Sequence, residues 1–393
     1  MERFIYLDNA ATTKVLPEVF EAMKPYFEEQ YGNPSSSYTF SGRIAGKVEE
    51  ARDSIAKFLG AKREEIYFTS GGSESDNWAL KGIADAFREK GKHIITTKIE
   101  HHAILHTAEY LEKHGYEVTY LDVDENGFVN PEDLEKAIRP DTILVSIMFA
   151  NNEIGTVEPI KELGRIAHQH GVLFHTDAVQ AFGHLPIDVN EMNIDMLSAS
   201  SHKINGPKGV GIFYLRRNTN IESFIHGGAQ ERGRRAGTTN AAGIIGTAKA
   251  VEIAAKKMEQ RIIYERELRD YLIERVLKEI PYTRLNGDRE LRLSNNANFC
   301  FRFIEGESLM ILLDLSGIEA SSGSACTSGA LDPSHVLLAL GLPKDIARGS
   351  IRLTLSEETT KDDIDYTVEV LKKSVERLRS MSPFYADFIK NQN

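Results

Sequence analysis

Two cysteines are all that the 393-residue chain holds. Two thiols cannot build a disulfide framework, so a reducing cytosol is the expected compartment. Long apolar runs are missing as well. None approaches the roughly 20 residues needed to span a bilayer, so no membrane partner is expected. The first residues, Met1-Glu2-Arg3-Phe4-Ile5, meet acid at once and lack the basic region and apolar run of a secretory signal. Positive charge is also short: 47 Lys and Arg stand against 58 Asp and Glu, a net charge of −11. That balance argues against an electrostatic grip on nucleic acid. Neither GxGxxG nor a Walker loop occurs, so neither a dinucleotide nor ATP is indicated. HExxH and CxxC are absent, and no metal is expected. No internal repeat or low-complexity linker interrupts the chain.

What is present describes a globular protein. Hydrophobic residues make up 41% and charged residues 27%, ordinary values for a chain with a large core. At about 150 residues per domain, more than one lobe is expected. The first two-thirds alternates short β-branched runs with helical patterns. Runs at 65–69, 93–97, 117–121, 143–149, 172–176 and 195–200 read as strands. Segments 73–90, 101–114, 131–138 and 159–170 read as helices. This order predicts an α/β fold with a mainly parallel sheet between helices. Asn130 before Pro131, Glu132 and Asp133 predicts a well-capped helix start. Residues Ala241–Glu279 carry helical spacing with almost no breakers, one long helix or two in tandem, suited to bridging two lobes. Beyond it, strands at 298–303, 318–321 and 350–355 and helices at 307–315, 333–340 and 360–379 predict a smaller α/β lobe. The expected division is 15–258 for the large domain, with 1–14 and 259–393 forming the small one.

Several motifs carry chemistry. In "SASSHKINGPKG" a strand runs into Ser200, His202 and Lys203 before a Gly-Pro turn. Lys203 is either a solvated or salt-bridged lysine or a reactive amine among small polar groups that suit an anion. In "FHTDAVQ", Asp177 stands at a strand's carboxyl end, where open α/β sheets bind ligands. It is either a cap or a carboxylate facing a protonated ring nitrogen, the partner of a Schiff-base lysine in pyridoxal phosphate enzymes. In "TSGGSESDN", Gly72 and Ser73 open a helix whose N-terminus could take a phosphate or could simply be a glycine turn. In "IEHHAILH", His101 sits at a strand end, as a structural residue or as a ring-stacking, proton-exchanging one. His102 and His106 would share a helix face. Cys300, among aromatics in "NANFCFRF", reads as a small buried hydrophobe. Cys326, in "SSGSACTSG", has no large side chain nearby to bury it.

Taken together, "YLDNAATT", "TSGGSESDN", "EHHAIL", "NNEIGT", "HTDAVQ", "SSHKINGPKG", "QERGRRAGT" and "SSGSACTSG" resemble the cysteine desulfurases of the NifS/IscS type. These are aminotransferase-like, fold type I pyridoxal phosphate enzymes. The resemblance runs from residue 6 to about 355. It implies that Lys203 is the Schiff-base lysine, that Asp177 pairs with the pyridine nitrogen and that Gln180 contacts the ring hydroxyl. His101 would stack on the ring face. Gly72, Ser73, Ser200 and His202 would hold the phosphate, with Thr238 contributed by the partner of a homodimer. Asn152 and Arg352 would grip the substrate carboxylate, although an edge-strand arginine is more often solvated or salt-bridged. Cys326 would be the nucleophile that takes sulfur from L-cysteine, on a long mobile loop, and pass it to an acceptor such as an iron–sulfur scaffold protein. No basic residue adjoins Cys326, so its proton is expected to leave through His101. Ser73 replaces a frequent Thr and Asn205 a frequent aromatic. The tail is shorter than in relatives that dock a scaffold through it. A selenocysteine lyase or another β-eliminating lyase on this scaffold is the runner-up, and an ordinary aminotransferase the third reading.

Overall fold

The computed structural model describes residues 3–322 and 333–391. Its strands are β1 (Ile5–Tyr6), β2 (Ile66–Thr69), β3 (His93–Thr97), β4 (Glu117–Leu121), β5 (Thr142–Ser146), β6 (Leu173–Asp177), β7 (Met196–Ser200), β8 (Gly211–Leu215), β9 (Thr283–Leu285), β10 (Asn296–Phe301), β11 (Ile318–Glu319) and β12 (Ser350–Thr354). Seven of them form one sheet in the order β2-β8-β7-β6-β5-β3-β4. The pairs from β7 to β4 are parallel. β8 runs antiparallel to both β2 and β7, which leaves those two pointing the same way.

Side-chain alternation explains why helices cover both faces. Ile66, Phe68, Leu197, Ile212 and Tyr214 point into one core, shared with the helices Thr39–Phe58 and Ile160–Gln169. Their neighbours Tyr67, Met196 and Phe213 point into a second core against Trp78, Ile83 and Ile104 of the helices Gly72–Ala86 and His102–Lys113. Such two-sided burial removes the apolar–polar alternation that marks a strand in sequence. Six of the seven strands are nonetheless foreseen, with ends shifted by at most three residues. β8 is not foreseen, nor is the 20-residue helix Thr39–Phe58.

Ala241–Glu279 is a single helix of 39 residues, started by Asn240, whose Oδ1 accepts the Gly243 N–H at 3.0 Å. At 1.5 Å per residue it is about 58 Å long. Ile244, Ala250 and Val251 near its start belong to the first core. Leu268, Leu272, Ile273 and Val276 near its end belong to a third, under the small sheet β12-β10-β9. The helix therefore feeds both cores, as its length suggested. The chain's start joins the C-terminal segments: β1 pairs with β11, and Asp8 bridges Thr354.

Candidate active site

Parallel strands deliver their carboxyl ends to one edge of the sheet, and the motifs cluster there. β2 leads into Gly72 and Ser73, β3 into His101 and β5 into Asn152. β6 ends on Asp177, just before Gln180. β7 ends on Ser200, and a single 3-10 turn, Ser201–Lys203, carries His202 and Lys203. All of these residues line one cavity of about 300 Å³, which Arg352 enters from β12 of the small sheet. A larger hollow of about 560 Å³ lies between residues 4–16 and 356–363 and contains none of them, although Asn205 borders it. Convergent polar groups, not volume, mark the smaller cavity as the site.

The sequence left Asp177 as cap or ring partner; its geometry allows both. Oδ1 accepts the Val179 N–H at 2.9 Å and closes the turn after β6. The carboxyl is 5% exposed and lines the cavity. Burial pushes its pKa up, against the Val179 hydrogen bond and the Lys203 charge, which lower it. Lys203 Nζ donates to the carbonyls of Ala10 and Ala11, at 2.5 and 2.7 Å. Gln180 Nε2 donates to the same Ala10 carbonyl at 3.0 Å. The N-terminal "NAAT" stretch thus forms part of the wall.

The helix Gly72–Ala86 begins at the cavity without a side-chain cap. Its first-turn N–H groups and dipole end favour an anion there. Gly72 is fixed by contact: a Cβ would lie 2.5 Å from Val179 Cγ2. His202 Nδ1 lies 3.1 Å from Thr12 Oγ1, and burial with the Lys203 and Lys208 charges lowers its pKa to about 4. His101 caps the helix His102–Lys113, its Nδ1 accepting the Ala103 N–H at 3.1 Å. That bond places the hydrogen of the neutral ring on Nε2. Burial, then Lys203, His335 and His106, lower its pKa to about 4.

Arg352 is 4% exposed. Its Nη1 donates to the Asn152 carbonyl at 2.9 Å and its Nη2 to Asp8 Oδ1 at 2.7 Å. Its Nε is buried without a hydrogen-bond partner among the described residues. A buried guanidinium with a spare donor suits a carboxylate.

Other expectations fall outside this cluster. Thr238 is exposed and does not line the cavity. Cys326 and its expected mobile loop lie outside the described residues. Cys300 is fully buried, 3.1 Å from Asn286 Nδ2, and burial pushes its thiol up to about 11. His102 and His106 do share a helix face, with ring centroids 4.8 Å apart. Among the described residues, no group of three or more His, Cys, Asp or Glu is arranged to hold a metal ion. Asp8, Asp76 and His184 do not stand out in the sequence. His184 Nε2 lies 3.1 Å from the Lys203 carbonyl and steadies the lysine's backbone. Nothing local in the sequence signals that contact.

Residues 5–367 match the family Aminotransferase class-V. A cysteine desulfurase IscS of Dictyoglomus turgidum is 55% identical over 392 residues, spanning 100% of both chains. A solved NifS-like protein superposes with a TM-score of 0.90 at 39% identity, covering 96% of this chain and 100% of that one. The structure of SspA in complex with cysteine superposes with a TM-score of 0.79 at 38% identity, covering 91% and 100%. By sequence and by fold alike, this chain belongs to the aminotransferase class-V family.

Proposed function

We propose that this protein is a pyridoxal phosphate-dependent cysteine desulfurase that converts L-cysteine and the Cys326 thiol into L-alanine and a Cys326 persulfide. One observation carries the reading. A single cavity gathers a lysine amine, a buried aspartate, an uncapped glycine-led helix N-terminus and an arginine with a spare buried donor. Each fits one part of the cofactor–substrate pair. Full-length relatives named for the same activity support it.

Pyridoxal phosphate, when bound, supplies the electron sink that loosens bonds at the substrate α-carbon. Gly72, Ser73, Ser200 and His202 would hold its phosphate, joined by Thr238 from a second copy of the chain. Asp177 holds a negative charge against the ring nitrogen and keeps it protonated. Gln180 donates to the ring hydroxyl. Lys203 would anchor the cofactor, and its amine would carry the substrate's α-proton. Arg352 and Asn152 orient the substrate carboxylate. His101 would face the cofactor as a neutral ring, with Nε2–H as donor. Taking the Cys326 proton, as the sequence suggested, would load Nδ1 and break the cap on Ala103. Cys326 takes the substrate sulfur, and its thiol proton balances the transfer.

The division into 15–258 and 1–14 with 259–393 belongs to this reading, supported by the separate cores at the two ends of the long helix. So does a homodimer, supported by Thr238, which is exposed and does not line its own chain's cavity. The free thiol suits a reducing cytoplasm, and a sulfur-acceptor protein such as an iron–sulfur scaffold is the expected partner.

The test is incubation of the cofactor-loaded enzyme with L-cysteine, followed by mass measurement of the Cys326 peptide. One added sulfur, removable by reductant, and stoichiometric alanine are expected. A Cys326→Ala variant that released sulfide at the full rate would point instead to a β-eliminating lyase.

A further inference from the structure

The stretch of chain that bears Cys326 leaves from one described residue, Ser321, and returns at another, Ser334. Both ends are tied to the walls of the cavity. Ser321 is bridged to Arg352: its N–H donates to the Arg352 carbonyl at 3.2 Å, and the Arg352 N–H donates back at 2.6 Å. Arg352 lines the cavity. The returning end is held differently, by two side chains that have no task in the proposed function.

Ser334 is 3% exposed. Its Oγ donates to Glu153 Oε2 at 2.5 Å and accepts the N–H groups of Val336 and Leu337 at 3.1 and 3.3 Å. One hydroxyl thus caps the short helix His335–Ala339 and grips the residue after Asn152. His335 Nε2 lies 3.0 Å from the Glu100 carbonyl. A carbonyl only accepts, so this Nε2 carries the hydrogen. Glu100 directly precedes His101. The two anchors therefore land on the immediate neighbours of Asn152 and His101, and both of those line the cavity.

The landing points are themselves tied down. Glu100 Oε1 accepts from Thr97 Oγ1 and from the Met148 N–H, each at 2.9 Å. The Glu153 carbonyl accepts Asn298 Nδ2 at 3.0 Å and Asn296 Nδ2 at 3.2 Å. Asn151 joins the two stretches. Its Nδ2 donates to the Ile99 carbonyl at 2.8 Å, and its Oδ1 accepts the Glu153 N–H at 2.9 Å. Val336 and Leu337 pack in one buried cluster with Ile99, Met148 and Ile154. The returning end is thus packed on connections of the large sheet, whereas the leaving end is paired with β12 of the small one.

We propose that Ser334 and His335 are positioning residues for the sulfur transfer: they fix the returning end of the Cys326-bearing chain to the backbone that presents Asn152 and His101, and so set how closely the thiol meets the substrate sulfur. The inference rests on Cys326 being the sulfur acceptor in the proposed function. A misplacement of about 1 Å between reacting groups costs on the order of a hundredfold in rate. Neither Ser334 nor His335 lines the cavity, so the cofactor and the L-cysteine carboxylate keep their own partners when an anchor is removed.

The test compares wild type, Ser334→Ala, His335→Ala and Ser334→Thr as full-length, cofactor-loaded protein. Affinity for L-cysteine is read from the change in visible absorbance on titration. Sulfur transfer is read by quenching a single turnover and measuring the mass of the Cys326 peptide. In each alanine variant the transfer is expected to slow at least about tenfold, with pyridoxal phosphate and L-cysteine affinities within about threefold of wild type. Ser334→Thr keeps a hydroxyl that can cap and can reach Glu153, and its transfer is expected within about threefold of wild type. Circular dichroism reports folding, and His335→Ala leaves the cap intact should Ser334→Ala not fold. Transfer at the wild-type rate in the alanine variants would overturn the proposal. So would affinities that fall as far as the rate, since the anchors would then hold the site as a whole, or a threonine variant as slow as the alanine one. Wild type that bound both ligands and placed no sulfur on Cys326 would sink the functional reading, and the positioning role with it.

Discussion

Arg352 Nη2 and Asp8 Oδ1 lie 2.7 Å apart, and that pair ties the small sheet to the chain's N-terminal segment at the rim of the cavity. A second guanidinium nitrogen holds the Asn152 carbonyl of the large lobe. The arginine is thus fixed from both sides before any substrate arrives, with Nε lacking a hydrogen-bond partner among the described residues.

Arg352→Lys should therefore act on substrate binding. A lysine keeps the charge but cannot hold Asp8, Asn152 and a carboxylate with one fixed fork. KM for L-cysteine is expected to rise at least about tenfold, about 1.4 kcal/mol. The fall in kcat should be smaller. Steady-state kinetics reads both. An unchanged KM would remove Arg352 from substrate recognition.

Lys203→Ala removes both the anchor and the proton carrier. Turnover is expected to fall by at least about a thousandfold, within the usual range for losing a general base. The visible band of bound pyridoxal phosphate should vanish with it. A variant that kept the band would show that another amine holds the cofactor.

His101 is lowered in the fold by burial, then Lys203, His335 and His106. The unfolded ring takes a proton near pH 6.5, whereas the folded ring waits until about 4. Stability is lost as pH falls between those values, because the unfolded chain binds more protons there. His101→Gln should lack this loss. Wild type is expected to lose up to about 1.4 kcal/mol per pH unit relative to the variant across that window. Denaturant melts at pH 7, 6 and 5 measure it. For the same reason, the acid limb of kcat/KM above pH 5 should not move in His101→Gln.

Cys300, raised to about 11 by its burial, offers about one thiolate in a thousand at pH 8. Iodoacetamide should leave it unmodified in native protein and modify it after unfolding in guanidinium. Peptide mass mapping distinguishes the two. Rapid native labelling at Cys300 would mean that the core over β10 opens readily.

Much of the site was legible before the fold was known. Gly72, His101 and Lys203 each follow a short strand, and Asp177 ends one. In a parallel sheet, strand ends share one edge, so residues scattered along the chain become neighbours. The long helix was legible too, since helical spacing is a local property. Other features depended on distant partners. β8 is apolar on both faces, so no alternation announces it, and its antiparallel course is fixed only by pairing with β2 and β7. Asp8 matters because it meets Arg352 across 344 positions of sequence. His184 matters through the carbonyl of Lys203. Asp76 sits within the glycine-led motif, yet nothing in that motif says its carboxyl is sealed beside Asp177. The sequence by itself determined the chemistry available at the sheet edge, because residue type and strand order are local. The tertiary structure alone decided which of those groups carry charge, because burial and neighbouring charges set each proton's place.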